Sequence, residues 1–407
     1  MTSFINNYLT TPTVIPLALY IHFPWCVQKC PYCDFNSHSL TDTDPNKKLK
    51  DLPEKLYLEK LLLDVDHDLK TQPSLLKHPR PLTSIFLGGG TPSLFSPEGL
   101  SFLLSQIKQR FSFSPEIEIT LEANPGTIEH GQFKAYFDIG INRISLGVQS
   151  FNPKHLKKLG RIHNDTDAEQ AILEIKQAGF TNFNLDLMHG LPTQTPEEAL
   201  LDLKTALRFD PTHLSWYQLT LEPNTLFFYQ KPALPNDDTL EQIESLGLNL
   251  LKSFNYERYE VFAYSKKNSA SLHNQNYWTF GDYLGIGAGA HGKISDPEKR
   301  TIFRTAKIKT PKNYLAKSPE ALSSPEARYI SESERSFEFM MNALRLSNGV
   351  PIELYTQRTF LDVSTLHPKI NQLKSNGLLS QDPKRLSATP QGFKYLNTVL
   401  EQFLVSS

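Results

Sequence analysis

The sequence predicts an α/β fold: a partial (β/α)6 TIM-like barrel followed by a C-terminal winged-helix-like α+β module. Three observations predict it. A short strand followed by a helix recurs six times between Leu17 and about Thr220, several of those strands alternate apolar with polar residues, and after Thr220 the repeat stops until a helical unit begins near Ser331.

The strands fall near 17–22, 83–88, 116–122, 142–148, 182–188 and 213–219. After the first, Leu58, Leu61, Leu62, Val65 and Leu69 form one apolar helical stripe. After the second, Ser96 and Pro97 open a helix carrying Leu100, Leu103, Leu104 and Ile107. Thr166 with Glu169, and Thr195 with Pro196 and Glu198, read as capping boxes further along. Strand following helix repeatedly implies a parallel sheet wound right-handed.

The strand interiors say what the barrel holds. Glu118, Thr120 and Glu122 oppose Ile117, Ile119 and Leu121; Arg143, Ser145, Gly147 and Gln149 oppose Ile144, Leu146 and Val148; Asn182, Asn184 and Asp186 oppose Phe183, Leu185 and Leu187. A filled eight-stranded barrel places branched aliphatics inside. A polar inner face therefore predicts an open barrel around a large polar ligand, the alternative being an edge-rich α/β sheet with wet faces. From Glu222 to Gly292 the pattern is irregular, a connector or cap, and the GIGAGAHG run reads as a tight backbone turn because no strand–helix unit surrounds it. The C-terminal unit starts with a Ser331–Glu334 capping box and a stripe of Phe337, Met340, Met341 and Leu344. A helix ending near Gly377, a hairpin over 378–387 and a last helix from Thr389 and Pro390 complete it. The expected division is a lead-in at 1–16, the barrel at 17–220, an extension at 221–325 and the C-terminal module at 326–407.

Composition narrows the function classes. Across 407 residues, 42 Lys plus Arg against 43 Asp plus Glu leave a formal charge of −1, so no global field draws the chain to nucleic acid or an anionic membrane. Lys293 to Lys317 carries eight Lys or Arg against two acids and reads as a solvated face, or else as a contact for an acidic partner. The winged-helix candidate PKINQLKSNG has two lysines and no arginine, which argues against DNA. No signal-like leader or transmembrane segment is visible, and the expected location is cytoplasmic.

All three cysteines, Cys26, Cys30 and Cys33, lie on one loop directly after the first strand, so a disulfide framework is excluded. Three thiolates so close repel and desolvate one another, and call for a cation. A structural zinc site could be completed by His22 or His38. An iron–sulfur cubane would use the three sulfurs and leave one iron open, since the chain has no fourth cysteine.

C-x-x-x-C-x-x-C in this position resembles the signature of radical S-adenosylmethionine (SAM) proteins. The wider match, over nearly the whole chain, is to the branch containing oxygen-independent coproporphyrinogen III dehydrogenase and the haem chaperone HemW. The resemblance implies a barrel of radical SAM type with a 4Fe-4S cluster on Cys26, Cys30 and Cys33, and SAM on the open iron. It implies SAM contacts from Tyr20, from Gly89, Gly90 and Thr91 in FLGGGTPS, from Glu122 on the ribose, from Gln149, from Arg161 on the methionine carboxylate, and from Asp186.

Within that branch the dehydrogenase carries another cysteine two positions after the third, where this chain has Phe35. Only 25 residues precede Cys26, leaving little room for the N-terminal extension that encloses the porphyrinogen in the enzyme. His273-Asn-Gln-Asn-Tyr-Trp278 is similar to the motif tied to haem handling in the chaperones. Chemically, a histidine can ligate haem iron and Tyr277 and Trp278 offer flat apolar area, while a polar loop plugging the barrel mouth would read the same way; His291 is a secondary ligand candidate. With haem as the ligand, the Lys293 to Lys317 run has a further reading, as a contact for haem propionates. The resemblance thus implies a haem chaperone rather than an enzyme, passing haem to an acceptor protein that the sequence does not identify. The alternative is the dehydrogenase, a radical SAM oxidoreductase. A homodimer is compatible with the sequence and not required by it.

Overall fold

The computed structural model describes residues 14–39, 51–126 and 131–404. Most of the expected lead-in at 1–16 lies outside the described residues. Twelve strands form one sheet: β1 Leu17–Phe23, β2 Leu82–Gly89, β3 Phe113–Ala123, β4 Arg143–Gln149, β5 Phe183–His189, β6 His213–Gln218, β7 Glu257–Arg258, β8 Ala263–Ser265, β9 Asp282–Ile286, β10 His291–Asp296, β11 Thr301–Ala306 and β12 Arg328–Tyr329. Their spatial order is β12-β11-β10-β9-β1-β2-β3-β4-β5-β6-β8-β7. β1 to β6 are parallel in chain order, and the sheet ends in two edges, so the barrel is partial.

The alternation read from the sequence separates two environments. Ile119, Leu121, Ile144, Leu146, Phe183, Leu185 and Leu187 join one apolar core with residues of the outer helices such as Leu103, Ile107, Ile172 and Leu203. The other face is polar and cross-linked by side-chain hydrogen bonds. Asn184 donates to Ser145 Oγ (2.8 Å) and Asp186 Oδ1 (2.8 Å), Ser145 donates to Asp186 Oδ2 (3.1 Å), and His213 Nδ1 meets Asn184 Oδ1 at 2.7 Å. Buried polar groups survive only when paired in this way.

Residues 221–329 form both flanks of the sheet, so the last of these strands lies beyond the expected end of the extension at 325. β8 and β7 add antiparallel to β6, while β9 pairs parallel with β1 and carries β10, β11 and β12 beside it. The glycine-rich run is the β9–β10 hairpin, not an isolated turn. Its glycines mask a strand because β10 approaches too closely for a side chain: a Cβ on Gly285 would lie 1.9 Å from the His291 carbonyl oxygen.

Two local expectations shift. The capping box expected at Thr166 and Glu169 is formed by Asn164 and Asp167, which start the Asp165–Gln177 helix earlier, while those at Thr195–Glu198 and Ser331–Glu334 form as read. The basic run is not uniformly solvated. Lys293 and Lys307 are both 1 % exposed, paired respectively with Asp282 (2.8 Å) and with Asp64 and Asp68 (2.6 Å each). Burial raises Asp282, yet Lys293 and Arg80 hold it far below the carboxylate range.

The C-terminal module has its own core, including Phe339, Met340, Leu354, Leu366, Ile370 and Val399. Its helices run Glu332–Ala343, Glu353–Thr359, His367–Ser375, Pro390–Lys394 and Leu396–Glu401. Arg385–Leu386 pairs with Val350–Pro351, and Ser380 donates its amide to Ser387 across the expected turn. Among the described residues no helix is long and apolar enough to cross a membrane.

Candidate functional site

At the carboxyl ends of β1 to β5 the chain leaves a polar cleft of about 270 Å³. Its walls include Cys26, Cys30 and Cys33, Gly89, Gly90 and Thr91, and Glu122, Gln149, Arg161 and Asp186, so residues spread over 160 positions meet in one place. Parallel strands bring this about, since each ends at the same rim and delivers its next loop there. Tyr20 points into a second, adjoining cavity.

The cysteine loop is held by backbone. Gly90 N–H donates to the Phe23 carbonyl (2.7 Å) and Thr91 N–H to the Trp25 carbonyl (2.8 Å), fastening the β2 loop to the residues before Cys26. A Cβ on Gly90 would lie 2.5 Å from the Trp25 oxygen, so only glycine permits this approach. On the other side Asn36 Nδ2 donates to the carbonyls of Ala288 (2.9 Å) and Lys309 (2.8 Å), tying the loop to the β9–β10 hairpin. His22 bridges the two, with Nδ1 at 2.9 Å from the Tyr20 hydroxyl and Nε2 at 2.9 Å from the Asn36 carbonyl.

The sulfurs are free thiols on partly exposed residues. Burial pushes the Cys26 thiol up to about 11 and raises Cys33, so without a cation both stay protonated. A bound metal inverts that preference. Among the described residues no three ligating side chains converge on a single point, so the sulfurs share the cleft without forming a tight cage. Arg161 reaches in from the loop after the Pro153–Lys158 helix. Its Nη1 lies 3.6 Å from Cys30 Sγ, and its Nη2 donates to Asn124 Oδ1 (2.6 Å) and the Gly147 carbonyl (2.8 Å).

Glu122 accepts the Gly89 amide at 2.9 Å, and burial, with the Asp186 charge second, raises its carboxyl to about 7. Gln149 sits at φ 69°, a left-handed conformation that a non-glycine residue adopts only when its surroundings impose it, and its Oε1 accepts from the Tyr217 hydroxyl (2.8 Å). Asn124, Tyr217 and Asn36 were not legible as site residues. Each acts through a partner at least 30 positions away or through backbone, and only the NPG turn after Glu122 hinted at Asn124.

The second cavity, about 770 Å³, is lined by Tyr20, His273, Tyr277, Trp278, Tyr283 and Met341 among others, and shares Phe35, Gly89 and Glu122 with the polar cleft. The HNQNYW segment is a short helix, Leu272–Trp278, seated against the polar face of the sheet. Glu118 anchors its start, accepting from Ser271 Oγ and from the amides of Leu272 and His273 at 3.1–3.2 Å. His273 stacks on Phe86 with ring centres 4.2 Å apart, and its buried Nδ1 has no hydrogen-bond partner. His291, by contrast, is about half exposed beside Glu326.

Residues 20–206 match the model of the Radical SAM superfamily, and residues 330–394 match that of the HemN C-terminal domain. The chain is 48 % identical over 393 residues to heme chaperone HemW of Haemophilus influenzae, covering 97 % of this chain and 99 % of that protein. The chain belongs to the HemW family of radical SAM proteins. The HemW of Escherichia coli is 44 % identical, with 96 % and 98 % covered. A solved structure of Escherichia coli coproporphyrinogen III oxidase (HemN), described as a radical SAM enzyme, superposes with a TM-score of 0.76 over 99 % of this chain and 93 % of that one; at 22 % identity the likeness is one of fold. In this HemW-family chain the two matched regions are the barrel and the C-terminal module, and β9 to β12 lie between them.

Burial, with the Arg143 charge second, lowers the His273 imidazole to about 3. Between the unfolded value near 6.5 and about 3, the unfolded chain binds the proton and the native one does not, so His273 costs stability as pH falls through that window. His273→Phe, which keeps the stack on Phe86, is therefore expected to flatten the fall in urea midpoint between pH 7 and pH 4 relative to the parent; parallel curves would contradict this.

Proposed function

We propose that this chain is a haem chaperone: it holds haem in the 770 Å³ cavity beside His273 and passes it to an acceptor protein, while Cys26, Cys30 and Cys33 carry a 4Fe-4S cluster with SAM in the polar cleft. The observation that carries the proposal is the shared wall. Phe35, Gly89 and Glu122 line both cavities, so a porphyrin-sized aromatic chamber adjoins a polar pocket faced by three cysteines. The names of the relatives support the haem reading, and the family supports the cluster and SAM.

The donor set fits these groups. Three thiols, with no fourth cysteine in the chain, leave one iron of a cubane for SAM, and that iron with the cluster electron is the chemistry the bound group supplies. Gly89 and Gly90 offer bare backbone to the SAM amino group, Thr91 closes that loop, and Glu122 and Asp186 provide carboxylates at the ribose side. Arg161, with one Nη already committed to Asn124 and Gly147, presents the other toward Cys30 and a ligand carboxylate, and Gln149 is fixed by Tyr217. Tyr20 lines the haem side, in the cavity that shares Gly89 and Glu122 with the SAM side. For haem, neutral His273 offers an unpaired ring nitrogen and Tyr277 and Trp278 offer flat faces. Three cysteines, none of them in a disulfide, fit a reducing, cytoplasmic setting.

Titrating haem into anaerobically reconstituted protein tests this. A saturable Soret change at one haem per chain is expected, with no deoxyadenosine or protoporphyrinogen formed from coproporphyrinogen III and SAM. Non-saturable haem uptake, or turnover of coproporphyrinogen, would overturn the assignment in favour of partitioning or of the dehydrogenase.

A further inference from the structure

The apolar stripe read from the sequence at Phe337, Met340, Met341 and Leu344 is divided in the structure. Met340 and Leu344 are fully buried in the core of the C-terminal module and Phe337 packs against that core, whereas Met341 is 38 % exposed. Neighbouring positions on a helix point about 100° apart, so a residue next to Met340 leaves the core face. Met341 lines the cavity of about 770 Å³ instead, on the wall that the Glu332–Ala343 helix supplies. Packing in the module core therefore does not account for this methionine.

Most atoms of that cavity able to bind iron are already committed. His22 has both ring nitrogens engaged, one by the Tyr20 hydroxyl and the other by the Asn36 carbonyl. Lys293 Nζ is surrounded by Asp282 Oδ1 (2.8 Å), the Phe280 carbonyl (3.1 Å) and Ser295 Oγ (3.2 Å). Lys309 pairs with Glu326 (3.1 Å), His291 stands half exposed 3.8 Å from the same carboxylate, and the Tyr283 hydroxyl accepts from Arg304 (2.9 Å). Burial raises the Tyr20 and Tyr277 phenols, so neither supplies a phenolate. Among the described residues of the wall, two neutral iron-binding groups remain: the His273 imidazole, whose Nδ1 has no partner, and the Met341 thioether. They come from different elements, His273 from the Leu272–Trp278 helix that Glu118 anchors to the barrel and Met341 from the C-terminal module.

We infer that Met341 is a second axial ligand to haem iron, opposite His273. The inference rests on the haem reading above. The Sδ lone pair forms one bond to iron, nothing is oxidised or reduced, and no proton moves. A thioether carries no charge and is a weak donor, so it sits among aromatic side chains without the cost of burying an ion and holds iron less firmly than an imidazole does. That asymmetry suits a carrier, because a ligand of the acceptor protein takes the iron from the Met341 side while His273 still holds the haem.

The test loads the reconstituted full chain with ferric haem and records electron paramagnetic resonance and near-infrared magnetic circular dichroism, in which a thioether on ferric haem gives its own charge-transfer band. The parent is expected to be low-spin and to show that band. M341L, which nearly conserves volume, should lose the band, turn high-spin, lower the haem midpoint potential and speed haem loss to excess apomyoglobin about tenfold, with iron, sulfide and urea midpoint unchanged. M341H should restore a low-spin centre without the band and slow that loss. High-spin haem in the parent, or a low-spin spectrum that survives M341L, would overturn the Met341 ligand while saturable binding keeps the haem reading. Haem uptake that never saturates would instead remove the reading on which the inference rests.

Discussion

Cys30→Ala is expected to yield a folded but colourless protein with no labile sulfide after anaerobic reconstitution, a complete loss rather than a graded one. Cys30 is partly exposed, and its carbonyl, not its sulfur, holds the Cys33 amide at 3.1 Å, so the loop keeps its shape. Arg161 loses one weak acceptor but keeps Asn124 and the Gly147 carbonyl. Two thiols cannot hold a cubane that already lacks a fourth protein ligand. Iron and sulfide assays beside circular dichroism check this; a variant that retains brown colour and full iron would show that Cys30 is not a ligand.

Lys307→Met is expected to lower stability by about 3–5 kcal/mol, the usual consequence of removing one partner from a buried ion pair. The lysine stands between Asp64 and Asp68, both almost fully buried, and among the described residues no other cation pairs with them. Asp64 also accepts the Gly287 amide (3.1 Å) and the Tyr314 hydroxyl (2.7 Å), while Tyr57 joins the His22 carbonyl to the Ala288 amide. Loss of Lys307 therefore loosens the hairpin that Asn36 uses to brace the cysteine loop. Urea denaturation measures the first effect, and slower cluster assembly should accompany it. A change below about 1 kcal/mol would contradict this account of the ion pair.

Local order was legible where sequence neighbours decide it. The six parallel strands fall within a few residues of their expected bounds because alternation on the sheet faces has a period of two, and Ser96, Thr195 and Ser331 cap as read because a cap needs only three positions. The Asn164 cap was misread because Thr166 and Glu169 mimic the same spacing two residues on. What depends on distant partners stayed hidden. β9 pairs with β1 across more than 260 positions, and its glycines, required by close contact with β10, look like a turn in isolation. Lys293 and Lys307 look like solvated charges until Asp282, Asp64 and Asp68 are brought to them. The site followed the same division. The cysteines share one loop, and every other expected SAM residue except Tyr20 lines the same cleft, whereas Glu118, Asn36, Asn124 and Tyr217 became visible only through the partners they hold.

Electron paramagnetic resonance of the dithionite-reduced, reconstituted protein, recorded with and without SAM, tests the central claim most directly. A 4Fe-4S(1+) signal whose g-values shift when SAM is added is the result expected if three sulfurs leave one iron for that ligand. A spectrum that SAM leaves untouched, or material with iron but no acid-labile sulfide, would contradict it.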